Sequence, residues 1–316
     1  MFKIVSAGAL LLNAFLLSPL VNGGRQTAAS NASPELTSML QTVSVDSPGS
    51  AAVVYSTKGY FEAPNWSRDG KRLIFDQNGK MMTVPVAGGT PQAIDTGGAS
   101  HCNGSHGLSP DGKLLAITCS MTGGNDARVY IVPSTGGVPR EITANPYSYF
   151  HGWSPDGKTI AFTRPHQGGG DIFRISVEGG EETRLTTTEG VSDDPDYSAD
   201  GKYIYFNSNR GGGAMEIWRM NADGSEQVQV TSDEMNNWSP HPSPDGKWIV
   251  FIGYGKGVSG HPSNKNVSLR VMSLTDKTAK MTKLADLVGG SGTMNVNSWS
   301  PDSRQLAFVG FKLATP

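Results

Sequence analysis

The chain of 316 residues carries 26 Lys+Arg against 28 Asp+Glu, a formal net charge of −2. With no basic excess to displace phosphate counterions, nucleic acid is excluded as the principal partner. Hydrophobic residues at 37% suffice for a packed core, while 40 Gly, 19 Pro and only 17% charged residues point to many short strands joined by tight turns.

In chain order, Lys3 precedes an apolar run from Ile4 to Leu17, and Ser18-Pro19 break it ahead of small residues ending at Gly23. This reads as a cleavable secretory signal over 1–23, followed by a linker over 24–35 and one domain over 36–316. A secreted or periplasmic destination follows. The run is shorter than the roughly 20 apolar residues of a membrane span, so no span is expected.

A short motif then recurs six times. It reads Ser67-Arg68-Asp69-Gly70-Lys71, then Ser109-Pro110-Asp111-Gly112-Lys113, Ser154-Pro155-Asp156-Gly157-Lys158 and Ser198-Ala199-Asp200-Gly201-Lys202. It closes with Ser243-Pro244-Asp245-Gly246-Lys247 and Ser300-Pro301-Asp302-Ser303-Arg304. The Asp positions 69, 111, 156, 200, 245 and 302 are spaced by 42, 45, 44, 45 and 57, and a period of about 44 is that of a four-stranded propeller blade. Ser opens a type I turn, Pro presets the next φ, and Gly takes the left-handed conformation that lets the hairpin continue. Ser303 replaces that Gly in the sixth turn, which should strain it.

Each turn leads into a β run such as Tyr203-Ile204-Tyr205-Phe206 or Trp248-Ile249-Val250-Phe251. Second hairpins turn at Gly88-Gly89, Gly136-Gly137, Gly179-Gly180 and Asp223-Gly224. The fold expected is all-β, a six-bladed propeller of four-stranded antiparallel blades. The sixth repeat stops soon after its second strand, and residues 36–56 supply the missing hairpin, so both chain ends share the last blade and no sheet edge is left open. Tight turns fall on one face. The longer connections between second and third strands, and between blades, fall on the other, which is the expected functional face.

Cys102 and Cys119 flank the second turn. They form either a cross-hairpin disulfide or two buried thiols, depending on register.

These six hairpins, each followed by a strand and a Gly-Gly turn, resemble the TolB-like, WD-type propeller repeats of secreted bacterial proteins. The resemblance covers about residues 36–312 and implies the six-bladed fold. TolB itself carries an α/β domain before its propeller. Here only about a dozen residues separate the signal from the first strand, so a member of the family other than TolB is expected. Fold alone does not give function, since such propellers host translocation factors, gating domains and uronate-cleaving lyases.

The octets preceding each motif, at 59–66, 101–108, 146–153, 190–197, 235–242 and 292–299, should enter the channel mouth. Four of the six His fall there: His101, His106, His151 and His241. His106 and His151 share an offset of five residues before the turn Asp, and Asp193, Asp194 and Asp196 occupy the corresponding place in the fourth blade. Imidazoles and carboxylates converging from several blades suit a divalent metal, for which His106, His151, His241 and Asp194 are candidates. Alternatively, His106 or His151 serves as a general base. Asn237, Asn297 and Trp238 complete the expected ligand ring, with Trp238 as a sugar-stacking surface. Trp66, Trp153 and Trp299 read as packing between blades.

Arg164 and Arg210 sit in Gly-rich connections, Arg164 to Asp171 and Asn209 to Gly213, expected as flexible loops able to clamp a carboxylate or sulfate. The longest connection, Gly253 to Val267, carries His261. No Gly-x-Ser-x-Gly elbow and no P-loop occurs. Two functions fit these residues. One is a secreted, monomeric binding propeller for a glycan or protein. The other is a propeller enzyme on acidic sugars, for which a resemblance to oligogalacturonate-type lyases implies metal-binding His at similar positions.

Overall fold

A computed structural model describes residues 36–313, apart from 125, 277 and 279. The signal and linker expected over 1–35 lie outside the described residues. Among those described there is no helix, and none long and apolar enough to cross a membrane. Five four-stranded antiparallel sheets follow one another around the ring, and a sixth closes it. Innermost strands of the first five blades are Phe61–Trp66, His101–Leu108, Tyr149–Trp153, Ser192–Tyr197 and Asn236–Pro242.

The six turns share one hydrogen-bond pattern, because each begins with Ser and carries Asp two residues on. In the first blade the Ser67 hydroxyl donates to Asp69 Oδ1 at 2.6 Å, and that oxygen accepts the Lys71 N–H at 3.0 Å. The sixth repeats it, with Ser300 to Asp302 at 2.6 Å and the Arg304 N–H to Asp302 at 3.1 Å. Ser303 is indeed left-handed, at φ 61°, beside 69° for Gly157 and 71° for Gly246.

Closure joins the two ends of the chain. Leu36–Ser44 pairs antiparallel with Gln305–Leu313 over its whole length, from Leu36 opposite Leu313 to Ser44 opposite Gln305. Ala52–Lys58 adds outside it. The innermost strand of this blade is reduced to the bridge between Trp299 and Leu306. Gly290 and Gly292, at φ 116° and 92°, turn the preceding chain away from strand geometry.

Blades pack through their flat faces. Trp66, Trp153 and Trp299 are buried as expected. Two of them bond to the preceding blade: the Trp153 indole N–H donates to Gly107 O at 2.8 Å and that of Trp299 to His241 O at 2.9 Å. Cys102 and Cys119 stand opposite each other in register and are joined as a disulfide, which settles the choice left open by the sequence.

One expected loop is a strand pair instead. Residues from Arg164 to Asp171 belong to Thr159–His166 and Gly169–Ser176, joined by a two-residue turn. Pairing from Thr159 opposite Ser176 to His166 opposite Gly169 continues the blade through the glycines. The fifth-blade connection is a true loop over 255–264, between Trp248–Tyr254 and Lys265–Ser273.

Candidate functional site

Every innermost strand of the first five blades slips register midway, for example between Asp193 and Asp196 and between Trp238 and His241. These bulges re-aim side chains along a single strand. Residues on one side of the slip therefore face the loop end of the channel, and residues beyond it face the tight-turn end.

At the loop end lies a cavity of about 530 Å³. Its rim includes the residue seven places before each turn Asp: Glu62, Gly104, Tyr149, Asp193, Trp238 and Asn295, one per blade. Gly104 has a steric reason. A Cβ there would lie 2.9 Å from Glu62 Cδ and 3.0 Å from Asn295 Nδ2, so glycine leaves room for both side chains. The Gly104 N–H donates to Glu62 Oε1 at 2.8 Å, and the Tyr60 hydroxyl to Glu62 Oε2 at 2.7 Å.

His151, Asp193 and Asp194 converge in this cavity. His151 Nε2 is 3.5 Å from Asp193 Oδ1, and His151 Nδ1 is 3.2 Å from Asp194 Oδ1. The Ser239 hydroxyl donates to Asp194 Oδ2 at 2.8 Å. Burial, and then the neighbouring Asp194 charge, raise the Asp193 carboxyl above its ordinary value. Burial likewise raises Glu62. Behind Glu62, buried Asp76 is pushed up to about 8, first by burial and then by the Glu62 charge.

The other sequence candidates separate. At the tight-turn end, His106, His151, Asp196 and Asn297 line a second cavity of about 400 Å³. His106 is fully buried, and burial pushes its imidazole down to about 4. His241 is also fully buried; its Nδ1 is 3.0 Å from Asp196 Oδ2, which accepts from Asn297 Nδ2 at 2.9 Å. His106 and His241 therefore fall outside the group of His151, Asp193 and Asp194, because the bulges carry them past the mouth. Asn297, too, faces the opposite end. His101 is exposed and touches Ser100.

Asn237 is fully buried between Glu216 and Arg270, with bonds of 3.0 and 2.8 Å. Trp238 reaches the mouth but is only 3% exposed, and the His261 ring covers it at 4.4 Å. Arg164 makes a two-pronged ion pair with Glu182, at 2.8 and 2.9 Å, against the rings of Phe162 and Phe173. Arg210 lies over Trp218 and donates to Gln227 Oε1 at 2.6 Å. Neither arginine is among the residues lining the loop-end cavity. Reading the octets at an offset of five missed Glu62 and Tyr149. An offset of seven, checked across all six repeats, finds them.

A family model described as the TolB beta propeller domain matches residues 150–308. An uncharacterized protein of Agrobacterium fabrum is 45% identical over 260 residues, covering 82% of this chain and 87% of the relative. A solved TolB-like structure from Agrobacterium tumefaciens superposes with TM-score 0.82 at 42% identity, over 88% of this chain and 99% of the other. The Tol-Pal system protein TolB of Francisella tularensis is 30% identical over 160 residues, which span 49% of this chain and 36% of that protein. Oligogalacturonate lyase in complex with manganese shares the fold alone, with TM-score 0.51 at 14% identity, over 86% of this chain and 78% of the lyase.

Proposed function

The chain belongs to the TolB-like β-propeller family, and on that premise we propose that it is a non-catalytic binding module that takes a segment of a partner protein into the loop-end mouth. One observation carries this reading. Six equivalent positions, one per blade, present six different residues around a cavity of about 530 Å³, within the range of roughly 300–1,000 Å³ usual for ligand sites. Irregular positions held by a rigid repeat scaffold are where such folds carry their specificity.

A protein segment fits better than a glycan, because Trp238, the one indole at the rim, lies under His261 and offers no open face to a sugar ring. Lyase chemistry has less support. Neither arginine expected to neutralise a uronate lines the cavity, Arg164 being paired with Glu182, and the rim carries Glu62, Asp193 and Asp194. The apolar run before Leu17 and the disulfide both favour work in an oxidising compartment outside the cytoplasm.

The test pans a random dodecapeptide display library and a glycan array against the signal-free protein. Tyr149 and Val191 both line the cavity, so enriched peptides whose affinity falls at least about tenfold in Tyr149→Ala and Val191→Arg, with an unchanged circular dichroism spectrum, support the reading. Peptides indifferent to both changes, or hits confined to the glycan array, overturn it.

A further inference from the structure

We propose that His151, Asp193 and Asp194 form a binding site for a divalent first-row transition cation at the floor of the loop-end mouth. One donor atom from each residue lies within 4.8 Å of the others. Donors about 2.0–2.2 Å from a central ion stand up to about 4.4 Å apart, so a small inward movement of two carboxylates completes three of the ion's positions.

His151 points independently to a missing ligand. Its ring is only 6% exposed, and neither ring nitrogen has a hydrogen-bond partner. Both nitrogens face carboxylates, yet 3.2 and 3.5 Å separate them without hydrogen-bond alignment. A buried imidazole left so is costly, and an ion on one ring nitrogen would relieve that nitrogen while the other turns its N–H to a carboxylate. His106 is the contrast: it is deeply buried, but among the described residues it is not part of any such acidic group.

The carboxylates are positioned from behind. Asp194 Oδ2 takes the Ser239 hydroxyl, leaving Oδ1 turned to His151. Asp193 Oδ1 accepts the Asp194 N–H at 2.8 Å. Such support from outside the ligand set fixes ligand orientation. One imidazole nitrogen with two carboxylates suits Mn²⁺ to Zn²⁺. Ca²⁺ and Mg²⁺ favour oxygen donors throughout. The remaining positions open into the cavity and are suited to a carboxylate or carbonyl oxygen of the ligand. To that extent the inference rests on the binding reading above.

Titration calorimetry of the chelator-stripped, signal-free protein with Mn²⁺, Zn²⁺, Ca²⁺ and Mg²⁺ alone tests it. One Mn²⁺ or Zn²⁺ per chain is expected, with Ca²⁺ and Mg²⁺ at least about a hundredfold weaker. Asp194→Asn and the near-isosteric Asp193→Asn should each weaken the ion at least about tenfold. Ser239→Ala should weaken it less while leaving the stoichiometry intact. No uptake, equal affinity for Ca²⁺, or uptake that survives both carboxylate changes overturns the site. The panned peptides are then measured with and without the ion. Peptide binding without any ion uptake removes the metal site alone, and ion uptake without peptide binding removes the binding reading alone.

Discussion

At the tight-turn end of the channel, six hairpins repeat one set of bonds, Ser hydroxyl to Asp and Asp to the following backbone N–H. At the loop end, the six equivalent residues are Glu62, Gly104, Tyr149, Asp193, Trp238 and Asn295, with no two alike. The same strands build both ends. Hairpin geometry constrains the first, so the sequence repeats there. Nothing in strand pairing constrains the second, so it is free to diverge. Titration follows the same division. Ser hydroxyls lower the turn carboxyls of Asp69 and Asp111, whereas burial raises Glu62, Asp76 and Asp193 at the mouth.

The largest expected effect separates stability from the mouth. Trp299 is 2% exposed inside the largest apolar cluster and bonds across to the neighbouring blade. Trp299→Ala should lower unfolding free energy by about 3–5 kcal/mol. Tyr149→Ala, at the half-open rim, should lower it by about 1 kcal/mol. Denaturant titration of the two variants checks the division, and equal losses would break it.

Much of this was legible in the sequence. The motif steps give the blades, and residues 36–56 announce the shared closure, because turn chemistry and strand composition are local properties. Site placement was legible only in part. Placing all six octets at the channel mouth puts His106, His151 and His241 together, but a bulge in the inner strand of each of the first five blades reverses facing partway along, and bulges leave no compositional mark where φ stays negative. Where it does not, non-glycine residues carry the strain unannounced, as at Ala63, Asp194 and Ser239, with φ of 56°, 50° and 54°. Arg164 was misread for a different reason. Three glycines, Gly168 to Gly170, suggest a loop, whereas the strand pairing extends through Gly169 and Gly170.

A smaller effect sharpens the electrostatic contrast. Asp76 stands opposite Glu62 in register, is 4% exposed, and has one oxygen without a partner. Its carboxyl is pushed from 3.8 up to about 8 by burial and then by Glu62. The folded chain thus keeps a proton that the unfolded chain has already released. The group's contribution is full below about pH 4 and is lost as pH rises through about 8. Asp76→Asn should melt a few degrees above the parent at pH 9 and close to it at pH 5. Melting curves across that range check it, and parallel pH profiles would remove Asp76 from the comparison.

The smallest effect tests whether the repeated end tolerates its one exception. Gly157 has φ 69°, and a Cβ there meets Pro110 Cδ at an ordinary 3.7 Å, so Gly157→Ala costs only backbone strain, about 1 kcal/mol. Ser303 already bears that strain at φ 61°. Its Oγ, however, accepts the Asp245 N–H of the neighbouring blade's turn at 3.0 Å. Ser303→Gly relieves about 1 kcal/mol of strain and forfeits a hydrogen bond of about the same size, so stability should move by no more than a few tenths of a kcal/mol. Ser303→Ala keeps the strain and loses the bond, and should fall by about 1 kcal/mol. If Ser303→Gly instead gained the full amount, the bond between turns would contribute nothing, and the sixth serine would be a defect in the repeat rather than a link between blades.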